Sequence, residues 1–313
     1  MIDKPMPPLP DLFVTHPGAS GSVYQLVLAC GKAGFTTDFY TGIYSPSLKN
    51  WLNHLPKPWR QIGRFLYQAL PNNWRQKITR QLSRRQFADL PAEQCRLLPW
   101  GEILYLISAR LFPRQPALPR AVMNWRNRHF DRKMARVIHK FPASSPPWGV
   151  ITQDTSGLQT LQAAKATGRL AILHQMIGHI AIGKQVLSEE AKLQPDWADS
   201  LHFDAPRHLI ETCTREALTA DYILASSDYV HETLQQIGVA TDRILLLPYG
   251  VDTKQFQPLT APEFEQRLDE LRGGRQVIDQ AIGHRKFRLL YVGQISQRKG
   301  LSYLLDAMAA LND

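Results

Sequence analysis

A glycine-containing turn near the start of the chain has the residue types of a phosphate-binding loop. Gly18 and Gly21 follow the apolar run 11–15 and lead into a helix that begins near Ser22. Glycines let the backbone approach a ligand closely, and the unpaired amides at a helix N-terminus attract anions such as phosphate. A tight strand-to-helix turn without any ligand explains the same residues equally well.

A carboxylate stands just beyond another apolar run. Residues 148–152 predict a strand, and Asp154 precedes a helix predicted over about 155–166. Open α/β sheets bind ligands beyond the carboxyl ends of their strands. Asp154 is therefore a candidate to face a cleft, and capping of the following helix is the alternative.

Basic residues are concentrated in the first 140 positions. This segment holds 21 Lys and Arg against 7 Asp and Glu, whereas residues 141–313 hold 16 against 20. Within it, Trp74, Ile78 and Leu82 recur at helical spacing and predict an amphipathic helix. Its cations suit an anionic membrane or acceptor, and a solvated helix face is the alternative. These cations are Arg75, Lys77, Arg80, Arg84 and Arg85.

The elements that must position these residues alternate between strands and helices. Strands are predicted at 11–15, 35–41, 148–152, 169–173, 221–225 and 243–247. Helices between them are typical of an α/β protein with a doubly wound, Rossmann-like parallel sheet. Ser226 or Ser227 is the expected N-cap of one of these helices. Residues 180–208 are interpreted as a polar stretch with helical parts.

Two domains are expected. The first covers 1–283, with a basic helical insert at about 42–146 and an interdomain connector at about 248–283. A strand at 287–292 and a helix at 301–311 follow. One strand and one helix cannot bury their apolar faces alone, so 284–313 is interpreted as the truncated start of a second Rossmann-like domain.

A longer pattern runs from Glu216 to Pro258. It reads E-A-L-T-A-D-Y-I-L-A-S-S and, later, G-V-A-T-D-R-I-L-L-L-P-Y-G-V-D-T-K-Q-F-Q-P. This resembles the stretch E, A-D-x-I-x-x-S, G-V, K-I, P-x-G-V-D, F-x-P of family 4 glycosyltransferases. The resemblance implies the two-domain GT-B architecture, in which Pro248 and Gly250 make the sharp exit from a strand toward the second domain, braced by Asp252.

Residues 287–300 are similar to the first strand and loop of that family's donor domain. The resemblance implies that Lys299 binds the donor diphosphate, while Gln294 occupies the position of a second expected cation, which Arg298 would supply. Two cations and a helix N-terminus can stabilise a departing nucleoside diphosphate without a metal.

The same resemblance implies a histidine that reaches the transferred sugar, after the strand 169–173. His179 is the better match and His174 the other candidate, and a histidine satisfied in the core is the alternative for each. Relatives also carry a glutamate pair late in the donor domain, which these 313 residues lack. The chain alone is therefore expected not to bind a nucleotide sugar tightly and not to transfer one.

The resemblance implies transfer from a UDP- or GDP-linked sugar to a glycan or lipid-linked acceptor, with retention of configuration and without a cofactor or metal. No apolar run approaches the roughly 20 residues of a membrane span, and no secretory signal precedes the first strand. A cytoplasmic location is expected, with peripheral contact at an anionic membrane.

Two other function classes compete. A dinucleotide-dependent oxidoreductase would use the glycine turn and Asp38 as the ribose-binding acid, but G-x-G-x-x-G is absent. A non-catalytic or remnant module would use the basic surface, yet no nucleic-acid-binding motif accompanies the charge, so nucleic acid is not expected. Cys30, Cys95 and Cys213 are widely separated and indicate neither a disulfide framework nor a zinc site.

Overall fold

A computed structural model describes most of the chain. The described residues are 11–18, 21–46, 61, 68, 71–72, 75–76, 80, 85, 87, 89–201, 205–251, 253, 256–270 and 289–311. They divide into two compact units. Unit 1 comprises Met1–Lys184 with Ala205–Tyr249, and unit 2 comprises Gln185–Asp204 with Gly250–Asp313.

Unit 1 contains a seven-stranded sheet in which every strand pair is parallel. The strands are Leu12–His16 (β1), Thr37–Thr41 (β2), Cys95–Leu97 (β3), Gly149–Gln153 (β4), Leu170–Gln175 (β5), Tyr222–Ala225 (β6) and Ile244–Leu246 (β7). Their order is β3-β2-β1-β4-β5-β6-β7. This is the doubly wound α/β arrangement that the alternation of elements predicts.

Helices cover the sheet and extend into unit 2. They are Gly21–Lys32 (α1), Pro99–Leu111 (α2), Ala117–Ile138 (α3), Leu158–Ala166 (α4), Ile180–Leu193 (α5), Arg207–Thr219 (α6), Asp228–Gln236 (α7) and Leu301–Ala310 (α8). Residues 261–270 are also helical. Short 3-10 helices occupy Ala92–Gln94, Pro195–Leu201, Thr241–Arg243 and Gln297–Lys299. Among the described residues, no helix is long and apolar enough to span a membrane.

The core has one layer on each face of the sheet. Phe13 and Val14 are both fully buried, and the alternation of a strand places them on opposite faces. Phe13 belongs to a core cluster that contains Ile138 of α3 and residues of α4, α6 and α7, whereas Val14 belongs to a cluster that contains residues of α1. Sheets covered on both faces need such continuous apolar strands, which explains the runs seen in the sequence.

Local signals set several element ends. The Ser227 hydroxyl accepts a hydrogen bond from the Val230 amide at 3.3 Å and caps α7, which confirms the second of the two predicted N-caps. Gly238 follows α7 with φ +91°, a left-handed conformation that glycine adopts without strain.

Two sequence expectations were wrong. The insert adds an edge strand, β3, which pairs with β2, although only helices were expected there. Its three residues are too short for a period-two pattern to stand out. Residues 289–292 form no strand, and Leu290 and Val292 are 89% and 84% exposed. A strand needs a partner for its backbone groups, and none lies beside it within the described part of unit 2.

The close approach of three chain segments makes Gly42 a test of the packing. A Cβ at this position would meet the Pro17 carbonyl oxygen and lie 2.8 Å from Glu102 Cβ. We expect Gly42→Ala to lower the free energy of unfolding by about 2 kcal/mol, measured by urea denaturation. Gly21→Ala is the matched control, since no described residue beyond its chain neighbours comes within 4 Å of the added methyl. Equal stability of the two variants would contradict this packing.

Candidate functional site

The strand order reverses between β1 and β4, and this is where open α/β sheets form ligand crevices. Thr15 pairs with Thr152, and Gln153 pairs with His174, so the next residue along β1, His16, falls in the same row as Gln153 and His174. Partners in a parallel register share a face. Three polar side chains therefore stand side by side at the carboxyl ends of three adjacent strands.

Both histidines of this row are held neutral at physiological pH. Burial lowers the pKa of His174 to about 4, and the nearby His16 lowers it further. Burial likewise lowers the pKa of His16 to about 4, against the opposing effect of its hydrogen bond with the Gly18 backbone. Gln153 Nε2 lies 3.1 Å from His174 Nδ1, an arrangement in which the amide donates and the ring accepts. The sequence singled out His174, but not His16.

Asp154 lies at the carboxyl end of β4, as expected. Gln175 Nε2 donates to its Oδ2 at 3.2 Å. Burial raises the pKa of Asp154 to about 7, against the lowering effect of hydrogen bonds from its own backbone and from Gln175. A carboxyl group with this pKa exchanges a proton readily at neutral pH.

The N-terminus of α4 is capped by two distant carboxylates, so the capping alternative for Asp154 does not hold. Glu216 accepts from the Thr155 amide at 2.7 Å and the Gly157 amide at 2.8 Å. Asp131 accepts from the Gln159 amide at 2.9 Å and the Thr160 amide at 2.8 Å. Four amides at this helix end are thus satisfied by carboxyl groups of the protein itself.

Glu216 and Asp131 are both buried, and their pKa values reflect it. Burial raises the pKa of Glu216 to about 8, with the hydrogen bonds from Gly157 and Thr155 acting in the opposite direction. Burial also raises the pKa of Asp131. Glu216 begins the sequence pattern described above, and its position indicates a structural reason for that glutamate.

Arg126 links this edge of the sheet to the helical insert. Its Nη1 pairs with Glu102, and its Nη2 donates to Asn127 Oδ1 at 2.9 Å. Asn127 Nδ2 in turn donates to Thr155 Oγ1 at 3.1 Å. Thr155 has φ +70°, which is costly for a β-branched residue and is maintained by Asn127 and Glu216.

The glycine turn is packed against side chains of the protein itself. A Cβ at Gly18 would lie 3.4 Å from both Arg126 Nη1 and His16 Cε1. The Gly18 carbonyl accepts from Thr41 Oγ1 at 3.0 Å. A Cβ at Gly21 would meet no described residue within 4 Å, and Ser22 Oγ donates to Met176 Sδ at 3.0 Å. The guanidinium group of Arg126 thus occupies the space beside Gly18.

His179 is fully buried, and it lies outside the row of His16, Gln153 and His174. Its amide donates to Thr233 Oγ1 at 3.0 Å, and its Nδ1 accepts from the Ala181 amide at 3.3 Å. Burial lowers its pKa, against an interaction with the Cys213 backbone that raises it. These contacts fit the alternative of a histidine packed in the core, with its amide and Nδ1 hydrogen-bonded and its buried Nε2 without a hydrogen-bond partner among the described residues.

Lys299 and Arg298 are exposed and lie in unit 2. They belong to the 3-10 turn Gln297–Lys299, which Gly300 connects to α8 with φ +68°. Gln297 anchors this turn, since its amide donates to Ser200 Oγ at 2.9 Å and its Nε2 donates to Glu190 Oε1 at 2.6 Å. The buried Gln297 therefore holds a turn whose exposed cations, Arg298 and Lys299, lie just before the N-terminus of α8.

The proposed membrane-facing cations are only partly described. Trp74, Lys77, Ile78, Leu82 and Arg84 lie outside the described residues, as does Asp252 of the connector pattern. Arg80 is exposed and Arg75 is half-buried, and Arg75 Nη2 donates to the Gln68 carbonyl at 3.0 Å. Arg85 is buried, and its Nη2 lies 2.6 Å from Glu102 Oε1, so its assignment to a membrane-facing surface is corrected.

Within the part of the chain that the structure describes, no three His, Cys, Asp or Glu side chains cluster as metal ligands would. The carboxyl edge of the sheet instead offers two neutral imidazoles, an amide and a carboxyl group that titrates near neutrality. Such groups can hydrogen-bond sugar hydroxyls and move a proton.

Comparisons with known proteins find similarity among solved structures. No family model and no curated protein sequence matches the chain. A solved complex of a UDP-glucosyltransferase from Polygonum tinctorium is similar over 79% of this chain and 54% of its own, with a TM-score of 0.38 and 10% identity. The chain thus spans about half the length of that enzyme, and the fold assignment rests on the strand order given above.

The low pKa of His174 makes stability depend on pH. Unfolding would return that pKa to about 6.5, so the unfolded chain binds the extra proton between pH 6.5 and 4 and stability falls as pH falls through this window. His174→Asn keeps a hydrogen-bond acceptor for Gln153. We expect its free energy of unfolding to fall by up to about 3 kcal/mol less than that of the wild type on going from pH 8 to pH 4. Urea denaturation across pH 4–8 measures it.

The exposed His208 provides the control for this experiment. His208→Asn should follow the wild-type stability curve throughout. Parallel curves for His174→Asn and the wild type down to pH 4 would contradict a neutral, buried imidazole at this position.

Proposed function

We propose that the chain is a glycosyltransferase that moves a sugar from a UDP- or GDP-linked donor to a glycan or lipid-linked acceptor, with the configuration at the transferred carbon retained. The observation that carries the proposal is the row of His16, Gln153 and His174, with Asp154, at the strand-order reversal. The sequence pattern from Glu216 to Pro258 supports the same family of reactions.

In this proposal the crevice of unit 1 binds the reacting sugar and the acceptor. Neutral His174 and His16 accept or donate hydrogen bonds to hydroxyl groups without adding a charge. Asp154 exchanges the proton that the acceptor hydroxyl loses, because its pKa of about 7 matches neutral conditions. His179, which the resemblance also implied, supports the fold from the core.

In unit 2, Lys299 and Arg298 would bind the donor diphosphate. Both side chains are exposed at a turn that Gln297 holds, and α8 begins just beyond it. Cations and helix amides together stabilise the charge that accumulates on a departing diphosphate, so the proposed reaction needs no metal. Peripheral contact with an anionic membrane would bring the enzyme to a lipid-linked acceptor.

Donor binding is tested by saturation-transfer difference NMR with UDP- and GDP-linked sugars. We expect ligand signals from the wild-type chain that inorganic diphosphate competes away, and at least a tenfold loss in Lys299→Ala, because the ammonium group is replaced by a methyl. Lys165→Ala, in unit 1, should leave the signals unchanged. Absence of signals for every donor, or full signals in Lys299→Ala, would overturn the donor assignment.

Chemistry at the crevice is tested by donor hydrolysis, in which water replaces the acceptor and UDP or GDP release is measured. Measurable release would overturn the expectation that these 313 residues alone transfer no sugar. In that case the wild-type kcat/KM should change near pH 7, and Asp154→Asn should lose this inflection and about a hundredfold in rate, because it cannot take a proton. Asp228→Asn is the exposed control. The released sugar should keep the donor's anomeric configuration, and EDTA should have no effect.

A further inference from the structure

An apolar stripe runs along the outward side of α2. Trp100, Leu104, Ile107 and Leu111 are 61%, 46%, 49% and 64% exposed. Their spacing of four, three and four residues keeps them within a sector of about 60° around the helix, at 100° per residue. A water-facing helix normally carries polar residues in this sector, so the stripe indicates a surface that binds something apolar.

The opposite side of α2 is held by contacts with other parts of unit 1. Glu102 is 1% exposed and paired with Arg126 and Arg85. The Arg126 guanidinium lies 4.9 Å from the centre of the Tyr105 ring. Because these contacts fix the rotation of α2 against α3, the stripe cannot turn inward without breaking a buried ion-pair cluster.

The charge around the stripe is of one sign. Between Pro99 and Ile138 there are eight Lys and Arg and only two acids, Glu102 and Asp131. Both acids are buried and occupied by internal partners. The exposed cations of the hairpin are Arg110, Arg114, Arg128, Arg132 and Arg136.

Cations also flank both ends of the stripe. Trp100 shares a hollow with His129 and Lys133 of α3. At the other end, Phe112 and Arg120 line a second hollow. The surface therefore combines an apolar line, an exposed indole and surrounding positive charge.

We propose that the α2–α3 hairpin, Pro99–Ile138, is a docking surface for an anionic lipid bilayer. Apolar side chains would enter the boundary between headgroups and acyl chains, Trp100 would lie at headgroup depth, and the arginines would face lipid phosphates. A soluble polyanion such as RNA would engage the arginines but gain nothing from Leu104, Ile107 and Leu111. This inference rests on the membrane contact within the proposed function and places it on described residues.

The test is co-sedimentation of the full chain with two kinds of vesicle. One contains phosphatidylcholine alone, and the other also contains about 30% phosphatidylglycerol, which makes its surface strongly negative. We expect binding to the anionic vesicles only. Leu104→Gln with Ile107→Gln, and separately Arg128→Gln with Arg132→Gln and Arg136→Gln, should each weaken it about tenfold or more. All substituted residues are exposed, so thermal melting should match the wild type.

Matched controls lie on α6, where Leu218, Arg207 and Arg215 are exposed. Leu218→Gln, and Arg207→Gln with Arg215→Gln, should bind vesicles as the wild type does. Anionic-vesicle binding that survives in both hairpin variants would overturn the hairpin assignment alone. Failure of the wild type to bind any vesicle would overturn the membrane contact as well, while the donor-binding and hydrolysis measurements would still stand.

Two further outcomes would assign the surface differently. Light scattering that shows a dimer, with the Leu104 and Ile107 variant monomeric, would make the stripe an interface between copies of this chain. Wild-type binding to RNA that equals binding to anionic vesicles, and that persists in the stripe variant, would assign the arginines to a soluble polyanion. Either result overturns the proposal.

Discussion

The guanidinium of Arg126 joins parts of the fold that are far apart in sequence. It pairs with Glu102 of α2, donates to Asn127 and lies against Gly18 of the β1–α1 turn. Asn127 in turn donates to the Thr155 hydroxyl, and the Thr155 amide donates to Glu216. Removing one partner of such a buried pair typically costs about 3–5 kcal/mol, because the remaining charge is left unpaired. The geometry at the carboxyl edge of the sheet depends on this network.

The network also explains why ionisable groups at the same edge differ in charge state. Positive and negative charges are paired in the Arg126 cluster, whereas Asp154 and His174 have no ionic partner among the described residues. Burial then favours the neutral form of each, so the carboxyl pKa rises and the imidazole pKa falls. The carboxyl edge of the sheet therefore carries weakly charged, hydrogen-bonding side chains.

One helix serves two surfaces in this arrangement. The inner side of α2 supplies Glu102 to the network, and its outer side carries the apolar stripe. The ion pairs on the inner side of α2 therefore also determine the direction in which its apolar stripe faces. If the hairpin docks on a bilayer, the same ion pairs that shape the crevice also set its orientation toward the membrane.

The sequence alone determined the alternation of strands and helices, the Ser227 cap and the position of Asp154 at a strand end, because these depend on local periodicity and turn chemistry. It could not show that Glu216 caps α4 or that His16 adjoins His174, since those contacts join residues 61 and more than 150 positions apart. Burial of Arg85 and His179 was likewise decided by packing, because a basic or polar residue carries no local sign of a distant partner.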